Sequence, residues 1–153
     1  MTSSFTYTPI GVFRTPYPTT DAIPKTLGVA PTAEAVIEID PACADGLLDI
    51  EQFSHLLVLF AFHQSTARPL RVYPPRQTRE RGVFATRSPH RPNAIGILTV
   101  ELTRRDGTRL FVRGVDVVDG TPVLDIKPYL RHFDCRPEAT LGWIEDNGKA
   151  EPH

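Results

Sequence analysis

The sequence has little of what membrane, secreted or zinc-binding proteins usually contain. Its longest strongly apolar run, residues 55–63, is far shorter than the ~20 residues that a membrane-spanning helix needs. The two cysteines, Cys43 and Cys135, form neither a CxxC nor a CxxH pair, so we predict no zinc site and no other metal. Isolated thiols are typical of a reducing compartment, and we therefore expect a cytoplasmic protein.

Motifs of the common cofactor and nucleophile sites are also missing. The chain has neither the GxGxxG run of dinucleotide-binding folds nor the GxxxxGK[ST] loop that surrounds phosphates. It has no HExxH pair and no Gx[ST]xG turn that would present a nucleophilic serine. Ser88 lies among arginines rather than beside a candidate base, so serine nucleophilic catalysis is not favoured.

Positive charge is concentrated in one part of the chain, although the formal net charge is only −1. Residues 61–113 carry eleven arginines, no lysine and three acidic residues, whereas the segments on either side are net acidic. Between Arg68 and Arg91, Glu80 is the only acidic residue among seven arginines. Because a guanidinium offers a planar set of donors, this cluster predicts either an anionic partner or a solvated arginine-rich face.

Short apolar runs rich in β-branched and aromatic residues recur along the chain, separated by Gly, Pro and Asp. This pattern predicts strands, and fifteen prolines, mostly between the runs, argue against long helices. We therefore predict a mainly β fold with few short helices, arranged as a small, mostly antiparallel β-barrel or sandwich. The candidate strands are residues 5–14, 35–39, 55–63, 69–73, 82–86, 95–102, 109–118 and 121–126.

Local signals predict several connections between these strands. The DG pairs at residues 106–107 and 119–120 each separate two candidate strands and are typical of tight hairpin turns. A short helix is predicted at residues 46–53, with Asp45 as its N-cap. Residues 15–34 are predicted to form a long loop, and loops of that length in a compact domain are often functional.

Two segments carry polar residues that suit a ligand site. Residues 82–96 begin as a strand and then become polar and proline-rich, which suits a stiff loop that holds an anionic or polar ligand. Residues 114–129 contain Asp125 and Lys127, which share one face of an extended strand because strand side chains alternate. Such a pair is either a surface ion pair of little energetic value or, in a cleft, a group that orients substrate or moves a proton.

These segments carry a family resemblance. FSHLLVLFAFHQ at 53–64, GVFATRSPHRPNAIG at 82–96 and VDVVDGTPVLDIKPYL at 115–130 resemble the TsaA-like (TrmO-type) family in order, spacing and wording. PIGVFRTPY at 9–17 resembles the usual start of that family, and the resemblance covers about residues 5–143. It implies a small β-barrel that binds S-adenosylmethionine and forms homodimers, with the cofactor near the subunit interface.

The resemblance also implies a reaction. Characterised bacterial members methylate the exocyclic nitrogen of threonylcarbamoyladenosine, next to the anticodon of certain tRNAs. We expect one barrel domain over residues 1–143 and a polar tail over 144–153, with no membrane partner. The chain departs from the long tRNA-methylating members at residues 24–26, where PKT replaces a PRQ-like triplet.

The resemblance assigns two groups of residues, and the arginine cluster supplies a third. Those expected to hold the cofactor are Pro24, Lys25, His63, Gln64, Arg87, Ile97 and the backbone of Val115, Asp116, Val117 and Val118, with Arg87 approaching either the cofactor or a substrate anion. Those expected to orient the substrate or remove its proton are Asp125, Lys127 and Tyr129. Those expected to bind tRNA phosphates, or the carboxylate of the substrate's threonine, are Arg79, Arg81 and Arg91.

Three functions stay open on the sequence. The leading hypothesis is a methyltransferase that acts on modified adenosine in tRNA. The second is a methyltransferase with the same cofactor pocket that acts on a small molecule or on another nucleic acid. The third is an S-adenosylmethionine-binding module without catalytic activity.

Overall fold

In the computed structural model, which describes residues 3–25 and 30–148, the chain forms eight strands. They are β1 (Gly11–Arg14), β2 (Ala33–Ile39), β3 (His55–Ala61), β4 (Arg71–Val72), β5 (Arg81–Gly82), β6 (Ile95–Asp106), β7 (Arg109–Val115) and β8 (Pro122–Pro128). Six of these close into a barrel in the order β1–β2–β7–β6–β3–β8, with every neighbouring pair antiparallel. β4 and β5 form a separate two-stranded sheet. The predicted antiparallel barrel is confirmed.

Side chains fill the interior of this barrel. Alternate residues of each strand point inward, so β3 buries Leu56, Val58 and Phe60 and leaves Leu57 and Leu59 on the outer face. Aliphatic and aromatic residues from all six barrel strands complete one continuous core. Because a small barrel filled in this way has no room for a ligand, a binding site must lie outside it.

Gly96 leaves the space that the ring of a core residue, Phe60, occupies. Gly96 of β6 pairs with Phe60 of β3, and a Cβ built at Gly96 would fall on the Phe60 ring. Phe60 also packs edge-to-face against Phe13 and Phe62, with ring centroids 6.1 and 5.0 Å away. Because residue 96 is glycine, the Phe60 ring can pack directly against the backbone at the start of β6.

The first predicted hairpin is confirmed, but its turn lies one residue later than the DG pair indicated. Asp106 is still part of β6 and pairs with Arg109 of β7, so the turn consists of Gly107 and Thr108. Gly107 has a φ of 59°, a left-handed value that glycine adopts without steric cost.

The second predicted hairpin is wrong, because β7 and β8 are not neighbours in the barrel. The chain does turn at Gly120, whose φ is 82°. The turn bonds to β1 and the loop after it, since Gly120 N–H donates to the Phe13 carbonyl and Asp119 N–H to the Tyr17 carbonyl, both at 2.8 Å. A local turn signal was thus correct, while the partners of the turn come from a distant part of the sequence.

The predicted helix at residues 46–53 is replaced by two short 3-10 helices, Pro41–Leu47 and Ile50–Gln52. The Asp40 side chain, rather than that of Asp45, caps the first by accepting a hydrogen bond from Ala42 N–H at 2.9 Å. Asp49 separates the two with a φ of 68°, a left-handed conformation that ends regular helix.

The residues after the barrel form two short helices. A four-residue α-helix, Arg131–Asp134, is followed by a 3-10 helix, Gly142–Gly148, which overlaps the segment predicted to be a polar tail. The Trp143 indole N–H donates to the Ala85 carbonyl at 2.8 Å and thereby attaches this helix to the loop after β5. Among the described residues, no helix has the length and apolar character needed to cross a bilayer.

Candidate functional site

A cavity of about 1010 Å³ lies outside the barrel, where six segments of the chain meet. Its lining comes from residues 20–25, 30–31, 60–65, 86–91, 95–99 and 114–121. The volume is at the upper end of the ~300–1,000 Å³ that small-molecule and cofactor sites usually occupy. The long loop that precedes β2 supplies one wall.

Eight of the ten residues assigned to the cofactor lie in the wall of this cavity. They are Lys25, His63, Gln64, Arg87, Ile97, Asp116, Val117 and Val118. The other two are not in the wall but are adjacent to it in the chain: Pro24 precedes Lys25, and Val115, whose side chain is buried in the barrel core, lies between Gly114 and Asp116. Thr26, the departure from the PRQ-like triplet, lies outside the described residues.

Hydrogen bonds within the chain fix the loop that carries Arg87. The Thr86 hydroxyl donates to the Val83 carbonyl at 2.8 Å and accepts from Ser88 N–H at 3.2 Å. Arg91 Nη1 donates to the carbonyls of Thr86 and Ser88 at 3.0 and 3.3 Å. Arg91, assigned to tRNA from the sequence, therefore lies in the cavity wall and helps to hold this loop.

The cavity combines groups of both charges. Lys25, Arg87 and Arg91 contribute positive charge, and the carboxylate of Asp116 lies in the wall formed by residues 114–121. Desolvation raises the pKa of Asp116 above its ordinary value, and a backbone hydrogen bond opposes part of that shift. The site can therefore receive a ligand that carries both a cationic and an anionic group.

The three residues assigned to catalysis lie beside the cavity rather than in its wall. Lys127 Nζ is 2.9 Å from Asp125 Oδ2 in an exposed ion pair on the outer face of β8. Asp125 pairs with Leu59, which pairs with Ile97 of the cavity wall. Because neighbouring strands are ~4.8 Å apart, Asp125 is about 10 Å from Ile97 along this row.

Tyr129 follows directly on β8 and packs edge-on against His55, with ring centroids 6.2 Å apart. Desolvation, followed by the proximity of Cys135 and Asp134, raises the pKa of the Tyr129 hydroxyl. The phenol therefore stays protonated at neutral pH and acts as a hydrogen-bond donor. Of the two candidate bases, Asp125 is the one that is suited to accept a proton.

Arg79 and Arg81 lie at a second, smaller cavity of about 510 Å³ beside the β4–β5 sheet. Its wall also contains Arg71 and Tyr73. The Arg81 guanidinium lies over the Trp143 ring, 5.4 Å from its centroid.

A hydrogen-bonded pair in the wall of the larger cavity was not assigned from the sequence. Ser65 Oγ and His90 Nδ1 are 2.7 Å apart, although 25 residues separate them in the chain. His90 lies in the polar segment 82–96, which was the available signal, whereas nothing in the sequence distinguishes Ser65. Among the described residues no group of three or more His, Cys, Asp or Glu side chains is placed to hold a metal ion.

Comparison with known proteins gives consistent results. A family model described as the tRNA-methyltransferase O N-terminal domain matches residues 12–135. A probable S-adenosyl-L-methionine-binding protein of Pyrococcus abyssi is 43% identical over 141 residues, which cover 92% of this chain and 77% of that protein. The tRNA (adenine(37)-N6)-methyltransferase of Escherichia coli is 41% identical over 160 residues, which cover 97% of this chain and 68% of that protein.

Solved structures agree with this assignment. A crystal structure of TrmO from Pseudomonas aeruginosa has a TM-score of 0.76 at 39% identity, covering 92% of this chain and 63% of that one. The chain therefore spans a little under two thirds of that structure. The chain belongs to the family of the tRNA-methyltransferase O N-terminal domain, and the resemblance to TsaA-like (TrmO-type) proteins is confirmed.

The raised pKa of Asp116 predicts a pH-dependent effect on stability. Because the folded chain binds the Asp116 proton more tightly than the unfolded chain does, ionisation of this carboxyl destabilises the fold as pH rises through the folded pKa. Asp116→Asn is expected to raise the urea midpoint at pH 7 and to lose that advantage at pH 3, below the ordinary aspartate pKa of ~3.9. An equal difference between variant and parent at both pH values would contradict this account.

Proposed function

We propose that the protein is an S-adenosylmethionine-dependent methyltransferase that N-methylates threonylcarbamoyladenosine next to the anticodon of tRNA. The observation that carries the proposal is the large cavity, which gathers residues from three separated family motifs into one wall. The name of the E. coli relative, a tRNA (adenine(37)-N6)-methyltransferase, supports the nucleic-acid substrate and the site of methylation.

The chemistry of the wall fits this cofactor. Arg87 and Lys25 offer donors and positive charge for its carboxylate, and Asp116 offers negative charge for its ammonium or sulfonium group. Ile97 and Val117 provide apolar surface for the adenine ring. When bound, the cofactor supplies an electrophilic methyl group on a positively charged sulfur.

The chain contributes alignment and a proton acceptor. Holding the nucleophilic nitrogen in line with the methyl group lowers the barrier by roughly 7 kcal/mol or more. A carbamoylated nitrogen is a weak nucleophile because its lone pair is delocalised, so removal of its proton assists transfer. Asp125 accepts that proton, Lys127 balances the charge of the carboxylate at 2.9 Å, and Tyr129 donates a hydrogen bond to the substrate.

The central test is the tRNA nucleoside composition of cells with and without this protein, measured by mass spectrometry. We expect the methylated form of threonylcarbamoyladenosine to disappear without the protein. In the purified enzyme, Asp125→Asn should lower kcat by about 10²–10⁴ while calorimetry shows unchanged cofactor affinity. Cofactor binding without tRNA methylation would favour a small-molecule substrate or a non-catalytic module, and absence of cofactor binding would remove all three hypotheses.

We propose a homodimer, as the resemblance implies, and we assign the outer face of β3 and β6 as its interface. Ile95 and Ile97 are 44% and 48% exposed there, and Leu57 faces outward on β3, diagonal to Ile97. Both isoleucines also border the large cavity, so the interface and the cofactor site would adjoin. A second copy of the chain would remove these apolar side chains from water.

The dimer predicts a mass in solution of twice 17.0 kDa by light scattering. Leu57→Glu should shift the protein to monomer, because it places a charge in the covered face. Leu48→Glu is the matched control, since Leu48 is 79% exposed at the C-cap of the 3-10 helix Pro41–Leu47 and belongs to neither β3 nor β6. A monomeric parent protein at micromolar concentration is the opposing result.

The β4–β5 sheet is the proposed tRNA-binding surface. Arg14, Arg105 and Arg113 each form an ion pair with a glutamate. Arg79 and Arg81 have no carboxylate within 4.0 Å among the residues that the structure describes. Guanidinium groups without an internal counter-charge suit RNA phosphates, which they can bind with two parallel hydrogen bonds.

Arg79→Ala is expected to weaken tRNA binding and to reduce the slope of log K against log salt concentration by about one. Arg113→Ala is the control, because Arg113 belongs to the same arginine-rich stretch but is paired with Glu34 at 3.2 Å and Glu101 at 3.4 Å on β7. Binding curves measured at several salt concentrations separate the two variants. Identical slopes for both variants would argue against this surface.

A further inference from the structure

Ser65 and His90 form a hydrogen-bonded pair in the wall of the large cavity, outside the set of residues that the family motifs assign. Ser65 is only 8% exposed, whereas His90 is exposed, so the imidazole lies towards the opening of the cavity. Ser65 is itself held in place, because its N–H donates to the Phe62 carbonyl at 3.1 Å and its carbonyl accepts from Arg68 at 2.8 Å.

The contact between Ser65 and His90 indicates which ring nitrogen of His90 carries the proton. A buried hydroxyl needs an acceptor for its hydrogen, and in the described part of the chain the partner of Ser65 Oγ is His90 Nδ1, at 2.7 Å. This favours the tautomer in which the hydroxyl donates and Nδ1 accepts. A neutral imidazole then carries its proton on Nε2, which becomes a donor.

The surroundings of His90 define the ligand group that this donor fits. Arg87 and Arg91 are the charged neighbours in the same segment of the wall, and both are cationic. Arg91 Nη1 is already used by the carbonyls of Thr86 and Ser88. This part of the cavity offers donors, so it fits a carbonyl or carboxylate oxygen.

We propose that His90, oriented by Ser65, donates from Nε2 to the carbonyl or carboxylate of the threonylcarbamoyl group and thereby selects the modified adenosine. This inference rests on the proposed function and names the residue that reads the modification. The exposed position of His90 favours the substrate over the cofactor, because a tRNA nucleotide must enter from the open side. An unmodified adenosine would leave the donor unpaired, which is how a polar site rejects a substrate that lacks the matching group.

Two substitutions distinguish a donor from a merely structural residue. Glutamine places its amide nitrogen near the position of Nε2, whereas asparagine places its amide near Nδ1. His90→Gln should keep most of the preference of the cofactor-loaded protein for free threonylcarbamoyladenosine over adenosine, measured by calorimetry. His90→Asn should weaken binding of the modified nucleoside roughly tenfold, with unchanged adenosine and cofactor affinity.

Ser65→Ala should give a smaller loss in the same direction, because the ring of His90 is no longer held in one tautomer. Ser54→Ala is the matched control, since Ser54 Oγ and His55 Nδ1 form a similar 2.8 Å contact outside the cavity. Equal affinities for His90→Gln and His90→Asn, or a parallel loss of cofactor affinity, would overturn the inference. Methylation of tRNA by the parent protein tests the proposed function separately, and preference for the modified nucleoside tests His90.

Discussion

Closure of a small barrel around a filled interior determines where this protein can have a site. Phe13, Phe60 and the inward side chains of the other strands occupy the space that a larger barrel leaves for ligands. Polar chemistry therefore has to be assembled from loops and from the outer face of strands. The cavity that contains Arg87 and Asp116 meets that requirement, because its walls come from loops whose ends the barrel fixes.

The positions of the barrel strands were largely predictable from the sequence, because alternation and β-branched residues are local signals. The predicted strand at 82–86 is wrong, since residues 83–85 form a 3-10 helix after the two-residue β5. Pairing was less accessible: the DG pair at residues 119–120 indicates a turn, but only the closed barrel shows that its partners lie at residues 13–17. The predicted helix at 46–53 failed for a local reason, since Asp49 takes a left-handed conformation that composition does not reveal. Short-range propensity thus predicts the elements better than it predicts their neighbours.

The residues of the candidate site also differ in how far the sequence predicts them. Residues within motifs, such as Gln64 and Arg87, could be grouped before the structure was known, and they share one wall. The ion pair between Asp125 and Lys127 follows from strand periodicity, and both alternatives for it remain compatible with its exposed position beside the cavity. The Ser65 contact with His90 depends on two loops meeting, so no periodicity or spacing indicates it.

Several features of this molecule are unfavourable for the isolated chain and become favourable when a ligand is bound. Desolvation of Asp116 opposes its ionisation, and Ile97 exposes apolar surface. A cationic ligand group beside Asp116 and apolar contact with Ile97 would each offset one of these costs. Because a ligand that binds only the folded state stabilises it by mass action, the same residues that weaken the free protein strengthen the complex. Stability and binding in this fold are therefore linked through its outer surface, while the barrel core supplies a constant frame.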